Sequence, residues 1–324
     1  MYKFLLLFYY ERTRLSKEKN GKMKQSYISC ELCPRTCKIN RENGQKGICG
    51  VTGDLRVARA ALHFWEEGCI SGTKGSGTVF FSGCALHCVF CQNEAISRGD
   101  SGKQISRERL SEIFLELKGK GANNINLVTP GQFVPDIVWS VEHARNQGLD
   151  IPIVYNTSSY ERVETLKQLE GIVDVYLPDF KYFSSELAKR YSQAPNYPEV
   201  AKAAIAEMVR QQPKPSFYEK EGQELMGKGV IVRQLLLPGQ LQDAKQIIKY
   251  LHNTYGEQIY ISLMSQFTPL PNLENYPELN RRVSKKTYEK YVNYAIEIGI
   301  ENGFIQEGNV AEESFIPAFD GEGV

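Results

Sequence analysis

The chain has 324 residues, of which 42% are hydrophobic and 24% are charged. These values exclude a disordered or fibrous protein and predict one large domain, or one large and one small domain. Lysine and arginine (39) balance aspartate and glutamate (38), so the formal charge is +1 and nothing in the composition supports nucleic-acid binding.

The first apolar stretch, residues 3–10, is much shorter than the roughly 20 residues that cross a bilayer. It runs directly into the charged residues 11–14 without a small-residue cleavage site. We therefore predict neither a transmembrane helix nor a secretory signal here, and no membrane partner.

All eight cysteines lie between residues 30 and 91. Cys30, Cys33, Cys37 and Cys49 form an upstream set with spacings typical of a metal site, which we call the upstream quartet. A tetrahedral zinc, a rubredoxin-like iron and a second iron-sulfur cluster all remain open for it. Cys69 stands apart and is interpreted as a buried thiol, a neighbour of a cluster or a radical-relay residue. Because these spacings do not suggest disulfides, we expect a reducing, cytoplasmic compartment.

Strand-like and helix-like stretches alternate after Gly75. The apolar run 78–82 predicts a strand, and Leu110, Ile113, Phe114 and Leu117 follow with the spacing of one helix face. The same alternation recurs after strands predicted at 125–129, 151–157, 172–180, 230–237 and 258–263. A capping box formed by Ser158 and Glu161 predicts the start of the third helix.

Six strand-helix units whose strands are apolar on both faces indicate a parallel sheet covered by helices. We predict an α/β fold, a partial (β/α)6 TIM-like barrel over residues 77–324, preceded by a Cys-rich N-terminal extension over 1–76. In such folds the chemistry lies at the carboxyl ends of the strands.

A second set, Cys84, Cys88 and Cys91, follows the first predicted strand directly, with the spacing C-x3-C-x2-C. We call it the triad. Three thiolates within eight residues can hold three irons of a cubane cluster and leave the fourth iron without a protein ligand. A zinc site completed by His87, a disulfide and free thiols are the alternatives.

This triad, placed after the first strand of an alternating βα chain, resembles that of the radical S-adenosylmethionine (SAM) superfamily. Residues 84–93 resemble the pyruvate formate-lyase-activating enzyme group, and the resemblance extends over about residues 60–270. It implies a 4Fe-4S cluster whose open iron binds SAM, and a one-electron cleavage that yields a hydrogen-abstracting 5′-deoxyadenosyl radical. It also implies a flavodoxin or ferredoxin-like reductant and a glycyl-radical enzyme as protein substrate.

The same resemblance implies a set of SAM contacts. The candidate cofactor-binding residues are Phe90, which lies against adenine in the family, Gln92, Gly131, Asn156, Asp179, Lys181, Arg233 and Gln266. Gly131 belongs to the turn 129–132, where related enzymes have Gly-Gly-Glu and this chain has Gln132 as its last residue. Phe90 is otherwise a hydrophobic plug, and the turn is otherwise a simple Pro-Gly turn.

Two of these candidates end a strand with a period-two pattern. Val173, Val175, Leu177, Asp179 and Lys181 occupy alternate positions, so we expect all five side chains to face one way. Asp179-Phe180-Lys181 resembles the Asp-Leu-Lys of the activating enzymes, and an ion pair sealing the strand end is the alternative. Arg233 lies in an apolar strand and needs a partner, which is either the SAM carboxylate or Asp179.

The sequence thus predicts a radical SAM enzyme of the pyruvate formate-lyase-activating type. A radical SAM enzyme acting on a small molecule or on another protein residue is an alternative. A non-catalytic iron-sulfur or zinc electron-transfer module is disfavoured, because such a carrier does not need a barrel with Asp179, Lys181 and Arg233 at its mouth.

Overall fold

The computed structural model describes residues 26–271, 273–306 and 317–324. The apolar stretch 3–10 lies outside these residues. Within them, every helix is too short or too polar to cross a bilayer.

A ten-stranded sheet forms the centre of the described chain. Its strands are β1 (Arg56–His63), β2 (Ser76–Phe81), β3 (Lys103–Gln104), β4 (Ile125–Val128), β5 (Ile153–Thr157), β6 (Val175–Pro178), β7 (Ser216–Lys220), β8 (Gln223–Leu235), β9 (Tyr260–Met264) and β10 (Gly303–Ile305). Their order is β10-β9-β8-β6-β5-β4-β2-β1-β3, and β7 pairs with β8 as an antiparallel hairpin. The neighbouring strands in the series β2, β4, β5, β6, β8, β9 and β10 are parallel to each other. β1 runs antiparallel to both β2 and β3.

All six predicted strands are present, and the fold is the predicted α/β partial TIM-like barrel. Four strands of the sheet were not predicted, namely β1, β3, β7 and β10. β1 contains Arg56 and Arg59, which interrupt its apolar pattern, and β10 is only three residues long. β1 lies in the predicted extension and pairs along its length with β2. The division between residues 76 and 77 stays a prediction.

Helices cover the outer face of the sheet. They span Arg107–Gly119, Val134–Asn146, Val163–Leu166, Ser185–Ser192, Tyr197–Gln211, Leu241–Tyr255 and Lys285–Glu297, with short helices at Gly68–Ser71 and Glu94–Ser97. In the helix Arg107–Gly119, Leu110, Ile113, Phe114 and Leu117 are buried, as their spacing predicts. Ser106 caps this helix by accepting a hydrogen bond from the backbone N–H of Arg109.

The predicted capping box at Ser158 and Glu161 is wrong. The helix begins at Val163, and its N-cap residue Arg162 makes no side-chain capping bond. Glu161 instead turns inward, where its Oε1 accepts hydrogen bonds from Thr157 Oγ1 (2.6 Å) and from the Tyr155 hydroxyl (3.3 Å). Glu161 Oε1 therefore binds buried hydroxyl donors instead of the N–H groups of the helix N-terminus.

The inner face of the sheet carries the predicted alternation. Val175 and Leu177 of β6 belong to an interior cluster, whereas Tyr176 between them packs in the main core under the helices. The prediction is wrong for Val173, which packs in the main core because it precedes β6. The interior cluster consists of Cys69, Ile70, Val154, Val175, Leu177, Met226 and Ile231. Cys69 is 9% exposed and belongs to the same interior cluster. Burial raises the pKa of its thiol to about 12, with Glu67 adding to the effect. Cys69 is therefore a buried, unreactive thiol.

Residues before β1 fold against the carboxyl edge of the sheet. The Tyr27 hydroxyl donates to Asp136 (2.6 Å), and Thr165 Oγ1 donates to the carbonyl of Leu32 (2.8 Å). Arg41 is 1% exposed and donates to the carbonyl of Gln132 (2.8 Å). These contacts place the upstream quartet next to the ends of β4 and β5.

Candidate active site

The carboxyl ends of the parallel strands surround a cleft of about 220 Å³. Its lining includes every predicted triad and cofactor residue except Gly131, namely Cys84, Cys88, Phe90, Cys91, Gln92, Asn156, Asp179, Lys181, Arg233 and Gln266. These residues come from five strand ends that are far apart in sequence. The structure therefore brings the candidate residues together at the carboxyl ends of the parallel strands, and their roles stay predictions.

The triad loop leaves β2 and brings its three sulfurs to the cleft. Cys84 Sγ accepts a hydrogen bond from the backbone N–H of Leu86 (3.4 Å), and Cys88 Sγ accepts one from Ser192 Oγ (3.1 Å). Burial raises the pKa of Cys91 to about 12, while Lys181 and the backbone N–H of Asn93 act in the opposite direction. Lys181 and the N–H of Asn93 favour the thiolate, the form that binds metals, but burial outweighs them and keeps the pKa of Cys91 raised.

His87 does not complete the triad as a zinc site. Its Nε2 lies 2.7 Å from the carbonyl oxygen of Ile48, and the residue is absent from the cleft lining. Among the described residues, no three His, Cys, Asp or Glu side chains are placed to hold a single metal ion. In a cubane cluster each thiolate binds a different iron, so the donor set and its spacing fit a 4Fe-4S cluster held by Cys84, Cys88 and Cys91.

Asp179 and Lys181 form an ion pair on the cleft wall. Lys181 Nζ lies 2.7 Å from Asp179 Oδ2, and both side chains are largely buried. Burial acts to raise the pKa of Asp179, but Lys181 and Arg233 outweigh it and hold the pKa below its usual value. The sequence left open a SAM contact or an ion pair, and the ion pair is present.

Arg233 is held by three partners. Its guanidinium donates to Asp179 Oδ1 (2.9 Å), to Glu66 Oε2 (3.0 Å) and to Asn156 Oδ1 (2.6 Å). Of the two partners considered from the sequence, the structure therefore shows Asp179. The side chain of Arg233 is 11% exposed, so these contacts compensate a charge that has lost most of its water.

Glu66 is a cleft residue that the sequence reasoning missed. Glu66 lies in the segment after β1. This segment crosses the amino ends of the parallel strands, and Asn124 Nδ2 holds it there by donating a hydrogen bond to the carbonyl of Ile70. From there the Glu66 carboxylate reaches up to Arg233 and also accepts from Asn126 Nδ2 (2.9 Å). The sequence signal that could have identified Glu66 was its position shortly after a strand. This signal was not recognised because β1 itself was not predicted.

Phe90 and Gln92 continue the triad loop. The Phe90 ring is 5% exposed and packs edge-on against Tyr182 and Tyr191 (centroids 6.3 Å apart in both cases). It lines the cleft as well, so it is an aromatic plug that also presents a surface to the cleft. Gln92 Nε2 donates to the carbonyl of Gln266 (3.1 Å), which ties the triad loop to the end of β9.

Gly131 and Gln132 lie behind the triad loop instead of in the cleft. The Gln132 amide donates to the carbonyls of Ser82 (2.9 Å), Gly83 (3.0 Å) and Thr129 (2.9 Å), and so holds the residues that lead into Cys84. A glutamate lacks the N–H donors for these bonds, which explains glutamine at this position. A Cβ on Gly131 would meet the Glu161 carboxylate at 2.7 Å. Contact of Gly131 with SAM stays a prediction.

The model of the radical SAM superfamily matches residues 78–216, from β2 through the triad to the start of β7. These residues therefore carry a radical SAM domain. Radical SAM family membership implies a 4Fe-4S cluster and SAM, and the triad at the mouth of the barrel fits that cluster.

Further comparisons report these similarities. An uncharacterized protein of Methanocaldococcus jannaschii is 28% identical over 278 residues, which are 84% of this chain and 75% of that protein. A domain of pyruvate-formate lyase-activating enzyme from Bacteroides vulgatus has a TM-score of 0.38 at 15% identity, covering 52% of this chain and 89% of that chain. SuiB from Streptococcus suis bound to S-adenosylmethionine has a TM-score of 0.48 at 10% identity, covering 70% of this chain and 49% of that chain.

Replacing Lys181 with alanine should weaken SAM binding and leave cluster assembly intact, because Lys181 faces the cleft without being a cluster ligand. A hydrogen bond to a charged group contributes about 1.5–3 kcal/mol, so we expect SAM affinity to fall about tenfold or more. Anaerobic isothermal titration measures the affinity, and iron analysis measures the cluster. The exposed Lys285→Ala is the matched control. An unchanged affinity with a lowered melting temperature would show that Lys181 is only structural.

Proposed function

We propose that this radical SAM enzyme removes a hydrogen atom from a glycine Cα of a partner protein and so activates a glycyl-radical enzyme. When bound, the cluster and SAM supply the one-electron cleavage and the hydrogen-abstracting radical. The protein contributes the cleft that orients SAM and the path by which the partner's glycine reaches it.

The observation that carries the proposal is the open sheet. In the described chain the sheet has two separate edges, β3 and β10, and does not close on itself as an eight-stranded barrel does. A lateral opening of this kind admits a loop from another chain, whereas a small-molecule substrate needs only a closed pocket. The cleft can therefore accommodate an extended peptide segment.

Exposed aromatic side chains beside the cleft support a protein partner. Trp65 lines the cleft and is 59% exposed, and its neighbour Phe64 is 48% exposed. Large apolar side chains exposed next to a functional cleft favour binding of another macromolecule. The resemblance of residues 84–93 and of Asp179-Phe180-Lys181 to the activating enzymes points to the same class of partner.

The decisive experiment supplies a glycyl-radical enzyme from the same cell. Incubation of the anaerobically reduced enzyme with SAM and that protein should produce the doublet electron paramagnetic resonance (EPR) signal of a glycyl radical and 5′-deoxyadenosine. The partner carrying alanine in place of its radical glycine is the control and should give no doublet. If deoxyadenosine forms at the same rate without the partner and no doublet appears, the enzyme acts on another substrate.

The cellular setting is part of the proposal. All eight cysteines are free thiols in the structure, which supports a reducing compartment, the cytoplasm. A flavodoxin or ferredoxin-like protein would supply the electron there.

We further propose that the upstream quartet binds a metal of its own. Its four cysteines line one small cavity and lie within a short stretch of chain, so they can form the site without the triad. A Cys84/Cys88/Cys91→Ala protein should therefore retain about one metal centre per chain. Elemental analysis measures it, and a triad variant free of both iron and zinc would contradict the site.

A further inference from the structure

A second cavity lies behind the triad loop, with a volume of about 30 Å³. Its lining includes all four cysteines of the upstream quartet, together with Arg41, Gly47, Cys84, Gly131 and Glu161. Cys84 lines this cavity as well as the cleft, and its backbone N–H donates to the carbonyl of Cys49 (3.2 Å). The cavity therefore borders the triad at Cys84.

Backbone N–H groups face two sulfurs of the quartet. The backbone N–H of Arg35 faces the sulfur of Cys33, and that of Val51 faces the sulfur of Cys49. Each donor lies two residues after its cysteine, as Leu86 does for Cys84 in the triad. The two cysteine sets therefore share the same local device, in which N–H groups support negative sulfur.

Two further sulfurs complete the wall of the cavity. Arg41 Nη1 lies 3.6 Å from Cys30 Sγ and brings a buried positive charge to that sulfur. A Cβ on Gly47 would lie 3.4 Å from Cys49 Sγ and 3.6 Å from Cys37 Sγ, so both sulfurs border the same glycine. All four sulfurs of the quartet therefore lie around the same cavity.

A buried carboxylate provides an independent sign of a positively charged occupant. Glu161 is 6% exposed, lines the cavity, and its Oε2 has no hydrogen-bond partner among the described residues. A buried carboxylate oxygen without a partner is costly unless a cation lies near it. Thr157 and Tyr155 hold the other oxygen, which keeps Oε2 directed at the cavity.

The size of the cavity distinguishes a single ion from a cluster. In a tetrahedral zinc site the Zn–S distance is about 2.3 Å, so four sulfurs around a bare ion touch and leave no room for a water molecule. A cavity of about 30 Å³ exceeds the roughly 10–15 Å³ that one water needs. The four sulfurs surround the cavity but do not converge on one point. In this they resemble the three sulfurs of the triad, which do not converge on one point either.

We propose that Cys30, Cys33, Cys37 and Cys49 bind a second iron-sulfur cluster, separated from the first by Cys84. This proposal rests on the metal site proposed above and identifies what that site holds. Sets of four cysteine thiolates bind 2Fe-2S and 4Fe-4S clusters, so iron and inorganic sulfide are expected in equal amounts.

The test uses the full-length Cys84/Cys88/Cys91→Ala protein, reconstituted anaerobically with ferrous iron and sulfide. We expect iron and acid-labile sulfide in a ratio of about one, and an EPR signal after reduction with dithionite. Adding Cys33→Ala and Cys37→Ala should abolish both, whereas adding the core substitution Cys69→Ala, the matched control, should leave both unchanged. One zinc per chain, or one iron without sulfide, would overturn the proposal.

The unmodified chain gives a second measurement that does not depend on the folding of any variant. It should carry about six or eight irons, the sum of one 4Fe-4S cluster and a second 2Fe-2S or 4Fe-4S cluster, whereas five irons, or four irons with one zinc, would contradict the second cluster. These results are separable from the proposed activity, because the triad variant cannot cleave SAM and its iron content is independent of deoxyadenosine formation.

Discussion

Cys88→Ala is expected to abolish reductive SAM cleavage, because removing one of three thiolates leaves a second iron of the cluster without a protein ligand. Cys84→Ala and Cys91→Ala should have the same effect. Anaerobic reconstitution followed by assay of 5′-deoxyadenosine measures the activity, and EPR in the presence of SAM measures the cluster. Loss of activity to the background of the enzyme-free reaction is the expected result.

Cys69→Ala is the matched control for the triad variants. Cys69 lies in the interior cluster and not in the cleft lining, so its replacement should leave the SAM-responsive signal in place. A Cys88→Ala protein with a full SAM-responsive 4Fe-4S signal would overturn the assignment of the triad.

Arg233→Met is expected to destabilise the fold more than any surface substitution. It leaves Asp179 and Glu66 as buried carboxylates without the guanidinium that compensates them, and breaking a buried ion pair costs about 3–5 kcal/mol. The free energy of unfolding, measured by denaturant titration of the anaerobic protein, reports this loss.

Arg109→Met provides the comparison for this prediction. Arg109 pairs with Glu112 and Glu116 on an exposed helix face, where an ion pair contributes about 0.2–1 kcal/mol. If the two variants lose equal stability, burial does not control the energy of the Arg233 network, and the argument above is wrong.

The architecture and the triad could be predicted from sequence because the signals are local. The spacing of Leu110, Ile113, Phe114 and Leu117 defines one helix face without any knowledge of what it packs against. The triad is carried by eight consecutive residues after a strand, and the alternation in β6 placed Asp179 and Lys181 together before their contact was known.

The partners of buried polar groups depend on the tertiary structure. Arg233 clearly needed a counter-charge, but Glu66 lies 167 residues away and follows a strand that the pattern did not reveal. Glu161 had the spacing of a capping residue, yet Thr157 and Tyr155 draw it into the second cavity. Gln132 looked like a departure from a SAM-binding turn and instead holds the carbonyls of Ser82 and Gly83.

The sequence by itself determined six of the ten strands, the edge of the sheet where the candidate residues lie, and the three sulfurs of the triad. Only the tertiary structure decided that Glu66 meets Arg233, and that the upstream quartet lies behind Cys84 with Glu161 facing it. The physical reason is the range of the interactions. Apolar periodicity and ligand spacing are patterns within a few consecutive residues, so they can be read from the sequence. The cost of desolvation means that a buried charge needs a partner, but it does not specify which distant residue provides that partner.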